Sequence, residues 1–146
     1  MSKTYRVLIV DDEQEILDAL EAAFLTTDLD IYTTDNPITA LEMIKETHFH
    51  VVIADIAMPQ MNGLSLLRKI KEYNAFIQVI MITGYITITN ALNAFRYGAS
   101  DCFFKPFEDL NQIIDAVYNC IKKMERINDF LNKLASSTRV EGAPLL

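Results

Sequence analysis

Several classes of protein are excluded by what this chain holds little of. Its 146 residues include only two cysteines, Cys102 and Cys120. These fall in an expected strand and an expected helix, without the close spacing of a zinc or redox motif, so free buried thiols are the plain reading. Glycine and proline number four each, and no internal repeat or low-complexity segment is present, which excludes a disordered or fibrous chain. No apolar run approaches the roughly 20 residues that cross a bilayer. The opening Met-Ser-Lys-Thr-Tyr-Arg leads into only a short strand-like run, so no secretory signal is visible and a cytoplasmic protein is expected. Positive charge is also in deficit: net charge is -7, which argues against this domain binding nucleic acid by neutralising phosphates, and a DNA role would need a fused partner or another subunit. The two histidines, His48 and His50, flank Phe49 and would share one face of an extended segment. With no third ligand nearby in sequence, they read as strand-entry residues rather than a metal pair.

What is present is a chain for one compact domain, 51% hydrophobic and 23% charged, long enough to bury a real core. Four apolar segments, Arg6-Val-Leu-Ile-Val10, Val51-Val-Ile-Ala54, Val79-Ile-Met-Ile82 and Cys102-Phe-Phe104, read as buried strands, and Leu29 to Thr34 as a further one. Between them the apolar period becomes helical. Ile16, Leu20, Ala23 and Phe24 mark one face; Pro37, Ala40, Leu41 and Ile44 a second, with Asn36 as its N-cap. Leu64, Leu67 and Ile70 follow the Asn62-Gly63 turn; Ile88, Ala91, Leu92 and Phe95 form a fourth face closed by Gly98, and Leu110, Ile113, Ile114, Val117 and Ile121 a fifth. Alternating strands and helices predict an α/β fold: a doubly wound, five-stranded parallel sheet with five helices.

Polar residues punctuate the ends of the apolar segments: Asp11 and Asp12, Asp55, Thr83, and Lys105 before Pro106. Parallel strands would gather these at one edge of the sheet. Taken singly, an acid at a strand end reads as a turn or helix cap, and Thr83-Gly84 and Lys105-Pro106 as turns. Taken together, three carboxylates at one edge repel each other unless a cation joins them. Magnesium, hard and octahedral, suits one or two carboxylates with waters and a phosphate oxygen. A hydroxyl and an ammonium beside them suit phosphoryl oxygens.

The wording around these residues, VLIVDDE, VVIADIAMPQMNG, VIMITGY and GASDCFFKPF, closely resembles the receiver domain of two-component response regulators, in order and spacing, over residues 4 to 123. The resemblance implies a flavodoxin-like receiver fold that takes a phosphoryl group on Asp55 from a histidine kinase or phosphotransfer protein. It also implies a magnesium ion held directly by Asp12, Asp55 and the backbone carbonyl of Ala57, with Asp11 acting through water. Lys105 and Thr83 would contact the phosphoryl oxygens, and the Lys105-Pro106 bond would be cis. The Gly84 to Ala99 stretch resembles receivers of enhancer-binding transcription activators.

Two departures from the family pattern stand out. Where an aromatic residue usually sits, three positions before the lysine, this chain has Cys102; Phe103 is no substitute, since neighbours on a strand point to opposite faces. The positions two beyond Asp55 and two beyond Thr83 hold Ala57 and Tyr85, neither offering a carboxylate or amide to orient a hydrolytic water, so slow self-dephosphorylation is expected. Past the family's extent, Ile113, Val117, Cys120, Met124, Ile127, Leu131 and Leu134 keep heptad spacing. Residues 124–146 are therefore expected to be a helical extension and, from Ser136, a flexible tail, the extension serving as a dimerising helix or a linker to an output domain. Homodimers through the fourth and fifth helices or through this extension are expected. A receiver-fold binding module that signals without phosphate is the alternative. A free-standing phosphohydrolase would want Asp-X-Asp where Asp55-Ile56-Ala57 stands, and flavin electron transfer lacks its phosphate loop after the first strand.

Overall fold

The computed structural model describes residues 3–84 and 87–138, with the side chain of residue 138 left aside. The chain runs β1 (Arg6–Val10), α1 (Gln14–Ala23), a 3-10 turn (Phe24–Thr26), β2 (Asp30–Thr34), α2 (Pro37–Glu46), β3 (Val51–Asp55), α3 (Gly63–Tyr73), β4 (Gln78–Thr83), α4 (Ile88–Arg96), β5 (Asp101–Phe104) and α5 (Leu110–Thr138). All five strands are parallel, as the alternating pattern predicts, and the sheet order is β2-β1-β3-β4-β5.

The reason β3 and β4 read as unbroken apolar runs is that every residue in them is buried. Successive side chains leave opposite faces. Leu8, Val10, Val52, Ala54, Val79 and Met81 therefore join the side carrying α2 and α3, where Ala40, Ile44, Leu66, Leu67 and Ile70 pack. Val7, Ile9, Val51, Ile53, Ile80 and Ile82 join the side carrying α1 and α5, with Leu17, Leu20, Ile113, Val117 and Ile121. Each fully buried aliphatic side chain contributes roughly 1.5–3 kcal/mol, so both layers are needed.

The helix starts follow capping chemistry. Asn36, Asn62 and Thr87 accept through their side chains from the N–H groups of Ile38, Leu64 and Asn90. Gly98, at φ +100°, ends α4 in the left-handed region where a Cβ is costly.

Three expectations are corrected. In α4 the buried residue is Ala94, while Ile88, Leu92 and Phe95 are 81%, 51% and 52% exposed. The helix lays a small residue on the sheet, so its larger apolar stripe faces outward. In α1, Leu17 is buried beside Leu20 whereas Ile16 is only partly covered. The last helix continues through Thr138, so Ser136 and Ser137 are helical rather than tail. Its 29 residues extend about 43 Å at 1.5 Å per residue. Burial fades along it: Ile113, Val117 and Cys120 are buried, Met124, Ile127 and Leu131 half-buried, and Leu134 exposed. The remainder of the expected tail, residues 139–146, lies outside the described residues. Among those described, no helix is long and apolar enough to cross a membrane.

Candidate functional site

A parallel sheet ends all its strands at one edge, and this edge collects the polar punctuation. Asp11 and Asp12 follow β1, Asp55 closes β3, Thr83 closes β4, and Lys105 follows β5. Carboxylate oxygens of Asp11, Asp12, Glu13 and Asp55 lie within 4.8 Å of one another. Asp11 and Asp55 are buried, while Asp12 and Glu13 are exposed.

Local geometry spends one oxygen of each buried acid on the backbone and leaves the other for the cluster. Asp11 Oδ1 accepts from the N–H of Glu13 at 2.9 Å, and Asp55 Oδ1 from the N–H of Ala57 at 3.3 Å. The Lys105 ammonium meets the remaining oxygens. Its Nζ stands 2.6 Å from Asp11 Oδ2, 3.1 Å from Asp55 Oδ2 and 3.0 Å from Glu13 Oε1. The contact at Asp11 Oδ2 is close but lacks hydrogen-bond geometry, so this buried oxygen has an ionic partner and no directed donor.

Burial raises the Asp55 carboxyl above its ordinary pKa, the Asp11 charge adds to that, and Lys105 opposes it. Burial likewise raises Asp11, again against Lys105. Burial works against the Lys105 charge, but Asp11, Glu13 and Asp55 outweigh it and hold the ammonium protonated well above the usual lysine range. A group of hard oxygen donors with excess negative charge, one buried oxygen lacking a directed hydrogen bond, fits a small divalent cation such as magnesium. Soft metals want thiolate or imidazole instead.

Supporting backbone holds these groups in place. Lys105 donates its N–H to the Thr83 carbonyl at 2.8 Å, and the Lys105-Pro106 bond is cis. Thr83 is buried beside this connection. The segment after Asp55 folds back tightly: Ile56 N–H donates to Ile82 O at 3.0 Å and Gly63 N–H to Ile56 O at 2.7 Å. A Cβ on Gly63 would lie 2.0 Å from the Asp55 carbonyl oxygen, so only glycine admits this approach.

The residues singled out in the sequence thus converge, and Glu13 joins them unforeseen. Glu13 is the N-cap of α1, yet its side chain makes no capping bond and is spent on Lys105. Its position directly after the acidic pair was the available signal. Cys102 packs with the α2 and α3 side and Phe103 with the opposite side, as the alternation requires. Burial pushes the Cys102 thiol up to about 11, away from thiolate reactivity. Tyr85, named for its position two beyond Thr83, lies outside the described residues.

Residues 7–118 match a family profile described as the response regulator receiver domain. The chain is 32% identical over 139 residues to the regulatory protein AtoC of Escherichia coli (strain K12), covering 94% of this chain and 30% of that protein. Across the curated relatives it spans between 23% and 34% of their length. A CheY-like receiver domain protein from Methanospirillum hungatei JF-1 superposes with a TM-score of 0.81 at 25% identity, covering 85% of this chain and 98% of that one. The beryllofluoride-activated NtrC4 receiver domain dimer superposes with a TM-score of 0.77 at 30% identity, covering 82% of this chain and 98% of that one.

Proposed function

Since the chain belongs to the response regulator receiver domain family, we propose that it is a phosphoacceptor switch that takes a phosphoryl group onto Asp55 from a histidine kinase or phosphotransfer protein. The observation that carries this reading is the buried Asp11 and Asp55 pair sharing the Lys105 ammonium. In the proposed step a carboxylate oxygen of Asp55 attacks phosphorus in line. A new P–O bond forms an acyl phosphate as the bond from phosphorus to the donor's leaving group breaks.

Asp11, Asp12, Asp55 and the Ala57 carbonyl would hold magnesium, which supplies neutralisation of carboxylate and phosphoryl charge when bound. Lys105, which contacts Asp55 at 3.1 Å, would pair with a phosphoryl oxygen, and the Thr83 hydroxyl is proposed to hydrogen-bond another. Catalysis in this reading is positioning and charge neutralisation. With Ala57 and Tyr85 in the flanking positions, the acyl phosphate is expected to be long-lived.

The proposed output is a changed protein-interaction surface. Ile88, Leu92 and Phe95 on α4 and Phe104 at the end of β5 are exposed apolar groups next to the Thr83 and Lys105 strands. Together with the extended α5, they support homodimerisation through α4 and α5 or the C-terminal helix. The similar NtrC4 receiver is described as a dimer. Residues 4–123 would form the receiver and 124–146 the extension toward an output domain. A cytoplasmic location is part of this reading, and the net charge of -7 argues against direct nucleic-acid contact by this domain.

Intact mass with magnesium and acetyl phosphate, on this chain and on Asp55→Asn, tests the reading. One phosphoryl group gained only with metal, and absent from the variant, is the expected result. No gain from any donor by the folded chain overturns it in favour of a binding module that signals without phosphate.

A further inference from the structure

At the opposite edge of the sheet, about as far from the acidic cluster as this domain allows, the strand starts and the extended α5 enclose a cleft of about 340 Å³. That volume is in the range of small-molecule sites. Nothing in the proposed phosphoryl chemistry uses it.

Its sheet-side wall is aromatic. Tyr5 meets the His50 ring edge-on at 4.9 Å between centroids, and His48 meets His50 at 4.5 Å. Phe76 completes this wall. His50 is only 3% exposed, and its Nδ1 accepts the Arg6 N–H at 3.0 Å. The ring proton is thereby placed on Nε2, for which no described residue is an acceptor, on the ring edge away from Arg6. An N–H donor without a protein acceptor, on a ring that is otherwise covered, lines the cleft.

The facing wall is acidic and aliphatic. Glu125 and Asp129, one turn apart on α5, border the cleft beside Met124 and Ile127. Among the described residues neither carboxylate has a salt bridge. The opposing cation is Lys3, whose ammonium is placed over the Tyr5 ring at 5.4 Å rather than on a carboxylate. The cleft thus already holds one cation against a π face. Burial, then Glu125 and Asp129, raise the Tyr5 hydroxyl, in keeping with negative potential here. Burial, then neighbouring positive charge, keep His48 and His50 neutral, so they do not cancel it.

We propose that this cleft is a second binding site, for a flat organic cation that also carries a hydrogen-bond acceptor. The cation would sit between the aromatic wall and the Glu125 and Asp129 carboxylates, and its acceptor would take the His50 Nε2–H. An anion is disfavoured by both carboxylates and by the net charge of -7. Because one wall belongs to α5, occupancy would also order the helix proposed to carry the output.

The probe is 4-carbamoylbenzamidine, an amidinium with a carbonyl at its far end, compared with the isosteric anion 4-carbamoylbenzoate by amide and side-chain NMR on the full chain. The expected result is saturable shifts at Tyr5, His50, Phe76 and Glu125 to Asp129, with the anion at least about tenfold weaker. The exposed double change Glu125→Gln and Asp129→Asn is expected to weaken the cation about tenfold or more without altering the helical circular dichroism. Asp55→Asn is expected to leave binding unchanged, which separates this site from the phosphoacceptor reading. Equal binding of cation and anion, unchanged affinity in the double variant, or no saturable shift at these residues overturns the proposal. So do shifts that depend on protein concentration and spread to Leu131 and Leu134, since the cleft would then be covered by a second copy.

Discussion

Glu13 and Lys105, 92 residues apart in the chain, meet with Oε1 3.0 Å from Nζ. The pairing splits the lysine's charge between one exposed and two buried carboxylates, and the two kinds of partner have different worth. Glu13 is 60% exposed at its side chain, so Glu13→Gln is expected to change unfolding free energy by less than about 1 kcal/mol. Lys105→Ala removes the ammonium from buried Asp11 and Asp55, and is expected to cost about 3 kcal/mol or more at neutral pH. Urea denaturation of both variants checks the difference, and a costlier Glu13→Gln would contradict it.

The raised carboxyls fix how stability follows pH. Asp11 and Asp55 both titrate above 3.8 in the folded protein. Just above that value the folded state keeps protons that the unfolded state has released, so their contribution to stability falls as pH rises through the window. Without divalent metal, Asp55→Asn is therefore expected to raise Tm at neutral pH and flatten this slope. Magnesium is expected to stabilise the original chain by about 2.7 kcal/mol at a hundredfold excess over its Kd, and Asp55→Asn much less. Thermal melts with magnesium and after chelation test both expectations.

Gly63 makes the backbone approach its helix needs. Elsewhere in a helix, alanine in place of glycine gains about 1 kcal/mol. Here the added Cβ meets the Asp55 carbonyl and the Ile56 Cα at 2.0 Å and 2.6 Å, so the sign reverses. Gly63→Ala is expected to destabilise by about 2–3 kcal/mol and to displace Asp55, reducing phosphoryl uptake as read by intact mass.

The outward stripe of α4 predicts an inverted mutational pattern. Leu92→Ser and Phe95→Ser are expected to change monomer stability by no more than about 0.5 kcal/mol, because neither side chain is in the core. Ala94→Leu is expected to cost about 1–3 kcal/mol by overpacking against the sheet. Chemical denaturation measures all three, and light scattering after phosphorylation shows whether the stripe is the dimer surface.

His50 acts in the opposite sense to the acids. Burial, with neighbouring positive charge, lowers it from 6.5 to about 4. A depressed base favours the fold above its unfolded pKa, and that contribution is lost as pH falls from about 6.5 toward about 4. His50→Gln is expected to flatten this acid-side loss, of the order of 3 kcal/mol, in Tm measured against pH.

Much of this was already legible in the sequence because it depends on local pattern. Unbroken apolar runs such as Val51 to Ala54 mark strands buried on both faces, and alternation with helical periods leaves few topologies besides a parallel doubly wound sheet. Asn36 before Pro37 announces a helix start through capping chemistry that involves only neighbours, and the Asn62-Gly63 turn marks where the next helix begins, Asn62 proving to be its cap. The strand-end positions of Asp11, Asp55, Thr83 and Lys105 follow from the same pattern, since parallel strands finish on one edge.

The sequence alone determined the layers, the strand order's general type and the set of groups at the strand ends, because each arises from period and short-range chemistry. Tertiary structure alone decided the rest. An apolar stripe looks the same whether it meets the sheet or solvent, so only packing could show that α4 buries Ala94 and exposes Ile88, Leu92 and Phe95. Glu13 reads as an N-terminal acid of a helix until the fold brings Lys105 to it. The cleft around His50 exists because α5 continues past the sheet and closes over strand starts far away in sequence, a relation set by three-dimensional proximity and carried by no local motif.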